Sequence, residues 1–349
     1  MGQDRTLARG ARVFGAALIT ALALISLGWI IRDFTKANEV TDVWWNWTGR
    51  LARSEDGIWV TSSVEPTLLV LYAVAAVSVV RSSSAAGILA CTGLLTVLLR
   101  VPGLWNLNAN WMQGYDDGLM GKVLFTTIAL VVIGGVLVVT AVAGRRPAQQ
   151  PGGGYGYGYG YPPSPGPHSG TAPYEPVEEP PAGPTRGGGI VAFLFLGSMA
   201  IVLAAWQIRD WTKTGWESYQ RALTGERLIV RLLDVPGAWT LWALTLLALV
   251  AAVGALAGAP FSRPLGLITA GPILGTGVFS TAFAFKARYF ENFGDLAGLE
   301  QLRLLTGVFE IAVGGAVLLA LAGGDRRVTR PLPDLRDRGT PSGAPPTGW

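Results

Sequence analysis

The chain has 349 residues, 50% of them hydrophobic and only 14% charged, with a mean hydropathy of +0.40. That is too much apolar surface and too little charge for an ordinary soluble domain, so the bilayer is the expected solvent. The net charge of +4 and pI near 9.3 would suit nucleic acid. No stretch combines clustered Lys or Arg with a folded soluble face, so no nucleic-acid partner is expected and the basic excess reads as membrane topology.

Uncharged runs long enough to span a bilayer, or nearly so, number four in each half. They cover 13–31, 66–80, 85–99 and 123–144 in the first half, and 189–208, 238–258, 264–285 and 304–324 in the second. The runs 66–80 and 85–99 are short and separated only by Arg81 and three serines, which would also suit a re-entrant pair. Their counterparts in the second half are full length, so both read as spanning helices that continue a turn into the interface. The expected fold class is all-α integral membrane with eight transmembrane helices. Arg5, Arg9 and Arg12 before the first run resemble the start of a secretory signal. The same segment recurs at 189–208, where nothing can be cleaved, so the first run is expected to stay as a helix.

The first run ends in WIIRDFTK at 29–36, and the fifth ends in WQIRDWTK at 206–213, identical at six of eight positions. Each copy closes an apolar run and opens a polar, tryptophan-rich segment. Weaker echoes occur in the same order at offsets of 176 to 180 residues. Thr48-Gly49 matches Thr224-Gly225, Gly57-Ile58-Trp59 matches Gly237-Ala238-Trp239, Gly87 matches Gly266, Thr126 matches Thr306, and Gly134-Gly135 matches Gly314-Gly315. These echoes predict a four-helix module duplicated head to tail. The expected division is a first module at 1–146, a linker at 147–186, a second module at 187–327 and a tail at 328–349. An even number of spans per module makes the repeat parallel.

Arg32, Asp33, Thr35 and Lys36 in the first copy, and Arg209, Asp210, Thr212 and Lys213 in the second, have two open readings. The Arg-Asp pair and the threonine can end the helix and order the adjoining loop through charge-assisted hydrogen bonds, or they can bind a ligand. Beyond each copy, Trp44, Trp47 and Leu51, and likewise Trp216, Tyr219 and Leu223, fall at i, i+3 and i+7. That spacing predicts a short amphipathic helix lying in the interface.

Arg5, Arg9, Arg12, Arg81, Arg145, Arg146, Arg263, Arg326 and Arg327 all fall on one side of the predicted spans. By the positive-inside rule that side is the cytoplasm, with both termini there and the chain in the plasma membrane. The linker contains GGGYGYGYGY at 152–161 and then a proline-rich stretch. Its composition predicts disorder, as a flexible tether or a docking tail. The tail after Val328 is expected to be disordered too.

Twelve of the 13 tryptophans map to the opposite, outer side, and only Trp349 does not. An ordinary aromatic belt populates both interfaces, so this one-sidedness is informative. It suits anchoring of the outer-loop helices, or a platform for a lipid headgroup, a saccharide or a partner protein. The partners expected are membrane lipid and either a protein partner or a second copy of the chain.

Glu310 stands well inside the last span, where an acid is by default a functional candidate, or else reaches water or pairs with Lys286, Arg288 or Arg303. Gly271-Pro272 is expected to interrupt the seventh run, which also carries Thr269, Thr276, Ser280 and Thr281. Broken, hydroxyl-rich helices suggest a transport site lined by Glu310, Thr276 and Ser280, whereas Gly271 and Gly275 also have the spacing used for close helix packing.

One cysteine, Cys91, and one histidine, His168, exclude an intrachain disulfide and disfavour haem, metal and histidine-dependent nucleophile chemistry. No cofactor and no enzymatic activity are expected. Four helices with a long first outer loop and a short second one resemble claudin-type bundles in outline; the claudin cysteines are absent, and none of that family's function is carried across. The reading that remains is a non-enzymatic membrane protein of the cell envelope, a scaffold or accessory subunit with a tryptophan-rich outer face. The alternative is a transporter or channel for an ion or small solute, with its pathway between the two modules.

Overall fold

The computed structural model describes residues 5–50, 54, 57–112, 116–147, 183–228 and 230–322. Most of the linker, the C-terminal tail and Leu51 lie outside these residues. Among the described residues the chain is helical: α1 Arg9–Lys36, α2 Val40–Trp47, α3 Val64–Arg81, α4 Ala85–Asn106, α5 Asp117–Ala143, α6 Arg186–Thr224, α7 Gly237–Leu256, α8 Ser262–Lys286 and α9 Gly298–Ala322. A two-stranded antiparallel ribbon joins β1 Arg5–Leu7 to β2 Arg145–Pro147. All the helices except α2 are long and apolar enough to cross a membrane. The runs at 66–80 and 85–99 are full helices, and α4 continues to Asn106, well past its apolar stretch.

Local chemistry sets the helix ends. Asp116 accepts the Leu119 N–H at 2.8 Å to start α5, and Thr185 accepts the Gly188 N–H at 3.1 Å to start α6. Glu39 and Asp42 form a reciprocal capping box on α2. Gly225, with φ of 87°, closes α6 in the left-handed conformation that glycine adopts without a Cβ penalty.

The second outer-loop helix is present as the last part of α6: the first part runs through Trp211, Thr212 and Lys213, the backbone breaks at Gly215, whose φ of 78° and ψ of 162° are outside the helical region, and a short helix carrying Trp216, Tyr219 and Leu223 follows. One local expectation is corrected: Gly271-Pro272 does not interrupt α8, which stays helical across both residues. The Thr276 hydroxyl donates to the Pro272 carbonyl at 3.0 Å, and close neighbours support the helix there, as is usual for proline within apolar bundles.

Each half packs in the same order. α1 lies against α3 and α4 against α5, and in the second half α6 lies against α7 and α8 against α9. Between the halves, α3 and α4 meet α8 and α4 touches α7. Small residues permit this approach: a Cβ on Gly275 would collide with the Thr67 hydroxyl, and one on Gly87 would come within 2.6 Å of the Pro264 ring. One apolar core, including Leu22, Leu68, Leu95, Leu196, Leu244 and Val313, is continuous through both halves.

The outer surface of the helices is apolar as well. Phe125 is 74% exposed, Ile201 71% and Leu319 79%, a distribution that water would penalise and lipid would not. The β1–β2 ribbon, the approach of Gly87 to Pro264 and that of Gly183 to Gly258 gather the helix ends bearing Arg9, Arg81, Arg145, Arg186 and Arg263 at one end of the bundle. The described tryptophans, from Trp29 to Trp242, lie toward the other end.

Candidate functional site

The first octapeptide works through Asp33, in the last turn of α1 and fully buried. Its Oδ2 accepts the Thr61 N–H at 2.7 Å and the Thr61 hydroxyl at 2.6 Å, and the Val60 N–H lies 3.2 Å away. Arg32 sits 2.8 Å from Asp33 Oδ1 and also donates to the Ile58 carbonyl at 2.8 Å. These are charge-assisted bonds, and they fix the extended strip 58–61 against the end of α1. Thr61 in turn receives α2: its hydroxyl accepts the Trp47 indole N–H at 2.9 Å, and its carbonyl accepts the Asn46 amide at 3.1 Å. The buried face of α2 is Val43 and Asn46, while Trp44, which the spacing paired with Trp47, is 38% exposed.

The same strip docks the second half. The Leu232 and Leu233 N–H groups donate to the Trp59 and Val60 carbonyls at 3.2 and 2.9 Å. Arg231 reaches the Asn46 side-chain oxygen at 2.9 Å and also its carbonyl. Below the strip lies a buried ion pair: Arg100 Nη1 is 2.8 Å from Glu65 Oε1, with the two side chains 2% and 0% exposed. Arg100 also donates to the Leu233 carbonyl at 3.1 Å, and Glu65 Oε2 accepts the Ser62 N–H and hydroxyl. Arg100 Nε makes no hydrogen bond, and Glu65 Oε1 is held by charge and proximity without a well-directed one. Asp234, in the loop before α7, faces Ser62 and Arg231; burial pushes its carboxyl above the ordinary carboxylate range, against the opposing pull of Arg231.

Glu65, Arg100, Asn46, Thr61 and Arg231 are absent from the residues selected by sequence. A signal was available for two of them, because Glu65 and Arg100 are the charges that bound the two shortest apolar runs. A carboxylate and a guanidinium at the same end of neighbouring helices are natural partners.

At the tryptophan-rich end several indoles tie neighbouring segments together, although Trp44, Trp105, Trp111, Trp211 and Trp216 remain exposed. Trp239 donates to the Leu98 carbonyl at 2.7 Å, Trp105 to the Thr224 carbonyl at 2.8 Å, and their rings meet edge to face at 5.6 Å. Trp44 and Trp47 both approach Phe279 of α8, and Lys286 lies 4.8 Å above the Trp45 ring.

The second octapeptide is used differently. Asp210 pairs with Arg209 at 2.9 Å and lies 3.7 Å from Arg303, and its side chain is 34% exposed. Its two departures from the first copy have visible roles. Gln207, in place of Ile30, accepts the Tyr219 hydroxyl at 3.0 Å, and that hydroxyl accepts the Trp242 indole N–H. Trp211, in place of Phe34, stacks on Tyr219 and meets Trp216, as Phe34 meets Trp47 edge to face. Other positions behave alike. Thr35 and Thr212 donate to the carbonyls of Arg32 and Arg209, while Trp29 and Trp206 donate to Thr126 and Thr306 at 3.3 and 3.1 Å. Lys36 ends α1, and Lys213 is exposed on α6.

No protein-family model, curated protein or solved structure matches the chain.

Between α6 and α9 runs a groove of about 440 Å³. Val202, Ala205, Leu302, Leu305 and Phe309 form its apolar walls, and Trp206, Thr306 and Arg209 close its outer end. The guanidiniums of Arg209 and Arg303 lie 5.7 and 5.3 Å from the Trp206 ring centre.

Glu310, Thr276 and Ser280 do not form one site. Glu310 is 6% exposed at the α8–α9 contact, where a Cβ on Gly277 would come within 2.8 Å of its own Cβ, and Ser280 faces Gly307 nearby. Thr276 turns instead to the contact between the halves, beside a void of about 30 Å³, room for about one water. The cations weighed as partners of Glu310 are engaged elsewhere: Lys286 on Trp45, Arg288 with Glu291 and Arg303 with Asp210. Among the described residues, no group of three His, Cys, Asp or Glu side chains is placed to hold a metal ion.

Proposed function

We propose that this chain is a non-enzymatic multi-pass protein of the plasma membrane, part of the cell envelope, that serves as a scaffold or accessory subunit through its outer face. The observation that carries this reading is the outer junction, where the 58–61 strip, Asn46, Arg100 and Glu65 of one half are hydrogen-bonded or ion-paired to 231–233 of the other or to each other. Such cross-bracing suits a rigid platform better than two bodies that rock about a pathway, and the small void between the halves favours the same reading. Trp111, Trp211 and Trp216, 37% to 55% exposed, stand at the edge of this platform, where large amphipathic rings suit contact with a membrane-embedded partner or a second copy.

The platform is built, in this reading, from a tandem parallel duplication of a four-helix module. The matched Trp29–Thr126 and Trp206–Thr306 hydrogen bonds and the common helix-packing order support that history. The arginine-bearing end faces the cytoplasm with both termini, and the tryptophan end faces out. With Cys91 replaced by Ala, an impermeant maleimide on intact cells should label Ala297→Cys but not Ala257→Cys; the reverse pattern inverts the orientation.

Purified in mild detergent, the intact chain should be recovered with a membrane partner, or with itself, at fixed stoichiometry. Trp111→Ala combined with Trp216→Ala should dissociate that complex while the fold persists. The rival is transport of an ion or small solute, favoured by one observation, a buried acid within a span without an ion-pairing partner among the described residues. A partner-free single chain that carries solute flux in proteoliposomes, lost on Glu310→Gln, would put transport in place of the scaffold reading.

A further inference from the structure

We propose that the α6–α9 groove is a binding site for one anionic phospholipid, with the lipid phosphate between Arg209 and Arg303 and an acyl chain along Val202, Leu305 and Phe309. The inference rests on the membrane-spanning reading and adds a specific ligand to it. Three features point to an amphiphile. The groove's volume, about 440 Å³, falls in the range of small-molecule sites, which is roughly 300 to 1,000 Å³. Its length is apolar, and its polar groups are gathered at the outer end alone, where a bilayer places headgroups. A soluble anion would have no use for the walls, and an apolar helix would leave the cations at their end without a counter-charge.

The charge balance selects an anion. Two guanidiniums share a single carboxylate, Asp210, one at 2.9 Å and the other at 3.7 Å, which leaves one net positive charge at the headgroup level. Both cations lie over the Trp206 ring, and its indole N–H is anchored on Thr306 at 3.1 Å, so the ring holds them in place while their remaining N–H donors stay available. Side-chain exposures of 35% for Arg209 and 60% for Arg303 keep those donors accessible. Guanidiniums recognise phosphate through paired N–H donors, and basic pockets between transmembrane helices are an established way to hold lipid headgroups.

The first half shows what the site requires. Arg32, equivalent to Arg209, is turned to Asp33 and the Ile58 carbonyl. At the offset that pairs Thr126 with Thr306, Arg303 corresponds to Val123, which is buried. The α1–α5 contact therefore lacks the pair of cations over a tryptophan.

The test uses the full chain in neutral detergent, titrated with phosphatidylglycerol or phosphatidylcholine of identical acyl chains, with retained lipid counted by native mass spectrometry. The wild type should keep one phosphatidylglycerol in preference to phosphatidylcholine. Arg209→Gln combined with Arg303→Gln should lower that preference by about tenfold, since each cation near a headgroup contributes to anionic-lipid selectivity. Leu305→Trp, which fills the groove and leaves the cations in place, should abolish retention of both lipids. If the double variant does not fold, Arg303→Gln alone and Leu305→Trp decide the matter. Equal retention of the two lipids by the wild type, or selectivity unchanged in the variants, overturns the proposal. So does displacement of the lipid by millimolar inorganic phosphate, which would mark a site for a soluble anion. Failure of the membrane reading is separate: the chain would then not float with vesicles of either lipid.

Discussion

The two outer ends of this protein start from nearly the same octapeptide and put its charges to opposite use. In the first half Asp33 is sealed from solvent and organises a strip of backbone that the second half then grips. In the second half Asp210 stays at the surface beside Arg209 and Arg303, at the mouth of an apolar groove. The difference traces to the path of the chain beyond each copy. After the first, the chain folds back so that Val60 and Thr61 present N–H groups to the carboxylate. After the second, the helix continues to Gly215, and Gln207 rather than Asp210 meets the returning segment through Tyr219. One motif has thus become a structural clamp in one half and an accessible charge cluster in the other.

This contrast can be broken most severely at the ion pair beneath the clamp. Arg100→Met should cost about 3–5 kcal/mol by leaving Glu65 buried without its counter-charge, measured by reversible denaturation in detergent. Combining it with Glu65→Leu should restore most of that loss; a double variant as unstable as the single one would mean that the pair's geometry, and not its charge, holds the junction. Asp33→Asn should cost about 2–3 kcal/mol, because a neutral amide cannot accept from Val60, Thr61 and Arg32 as the carboxylate does. Gln207→Ile, which writes the first copy's residue into the second, should cost about 1–2 kcal/mol by removing the acceptor of the Tyr219 hydroxyl. Limited proteolysis should then cut preferentially between Gly215 and Gly225. Asp210→Asn should be the mildest, below about 1 kcal/mol, since its pair is partly exposed. Equal effects of Asp33→Asn and Asp210→Asn would erase the distinction between clamp and surface cluster.

Much of the fold was legible in the sequence because it depends on composition and spacing. Apolar runs of sufficient length mark the long helices, and the one-sided tryptophans mark one end of the bundle. The Thr126 and Thr306 echo, faint in sequence, turns out to be the acceptor of the first tryptophan in each octapeptide. Spacing served less well in the outer segments. The i, i+3, i+7 pattern identified helical residues around Trp44 and Trp216, but nothing in it revealed that the helix of Trp216 would follow the preceding one across a single break at Gly215, or that Val43 and Asn46 would be the buried face of α2.

The sequence by itself determined how many apolar helices form, where they turn and which end carries the aromatic rings, since these depend on local hydropathy and the lengths of uncharged runs. Only the tertiary structure decided the fate of the charges at the helix ends. An arginine or aspartate closing an apolar run reads the same whether it reaches toward water or is sealed beneath a loop, because its environment is supplied by residues far away in the chain. Arg100 is buried because Glu65 and the Leu233 carbonyl meet it there, and Arg209 remains available because the chain beyond it turns away. Desolvating a charge is costly unless partners are already in place, and that placement is a property of the folded bundle.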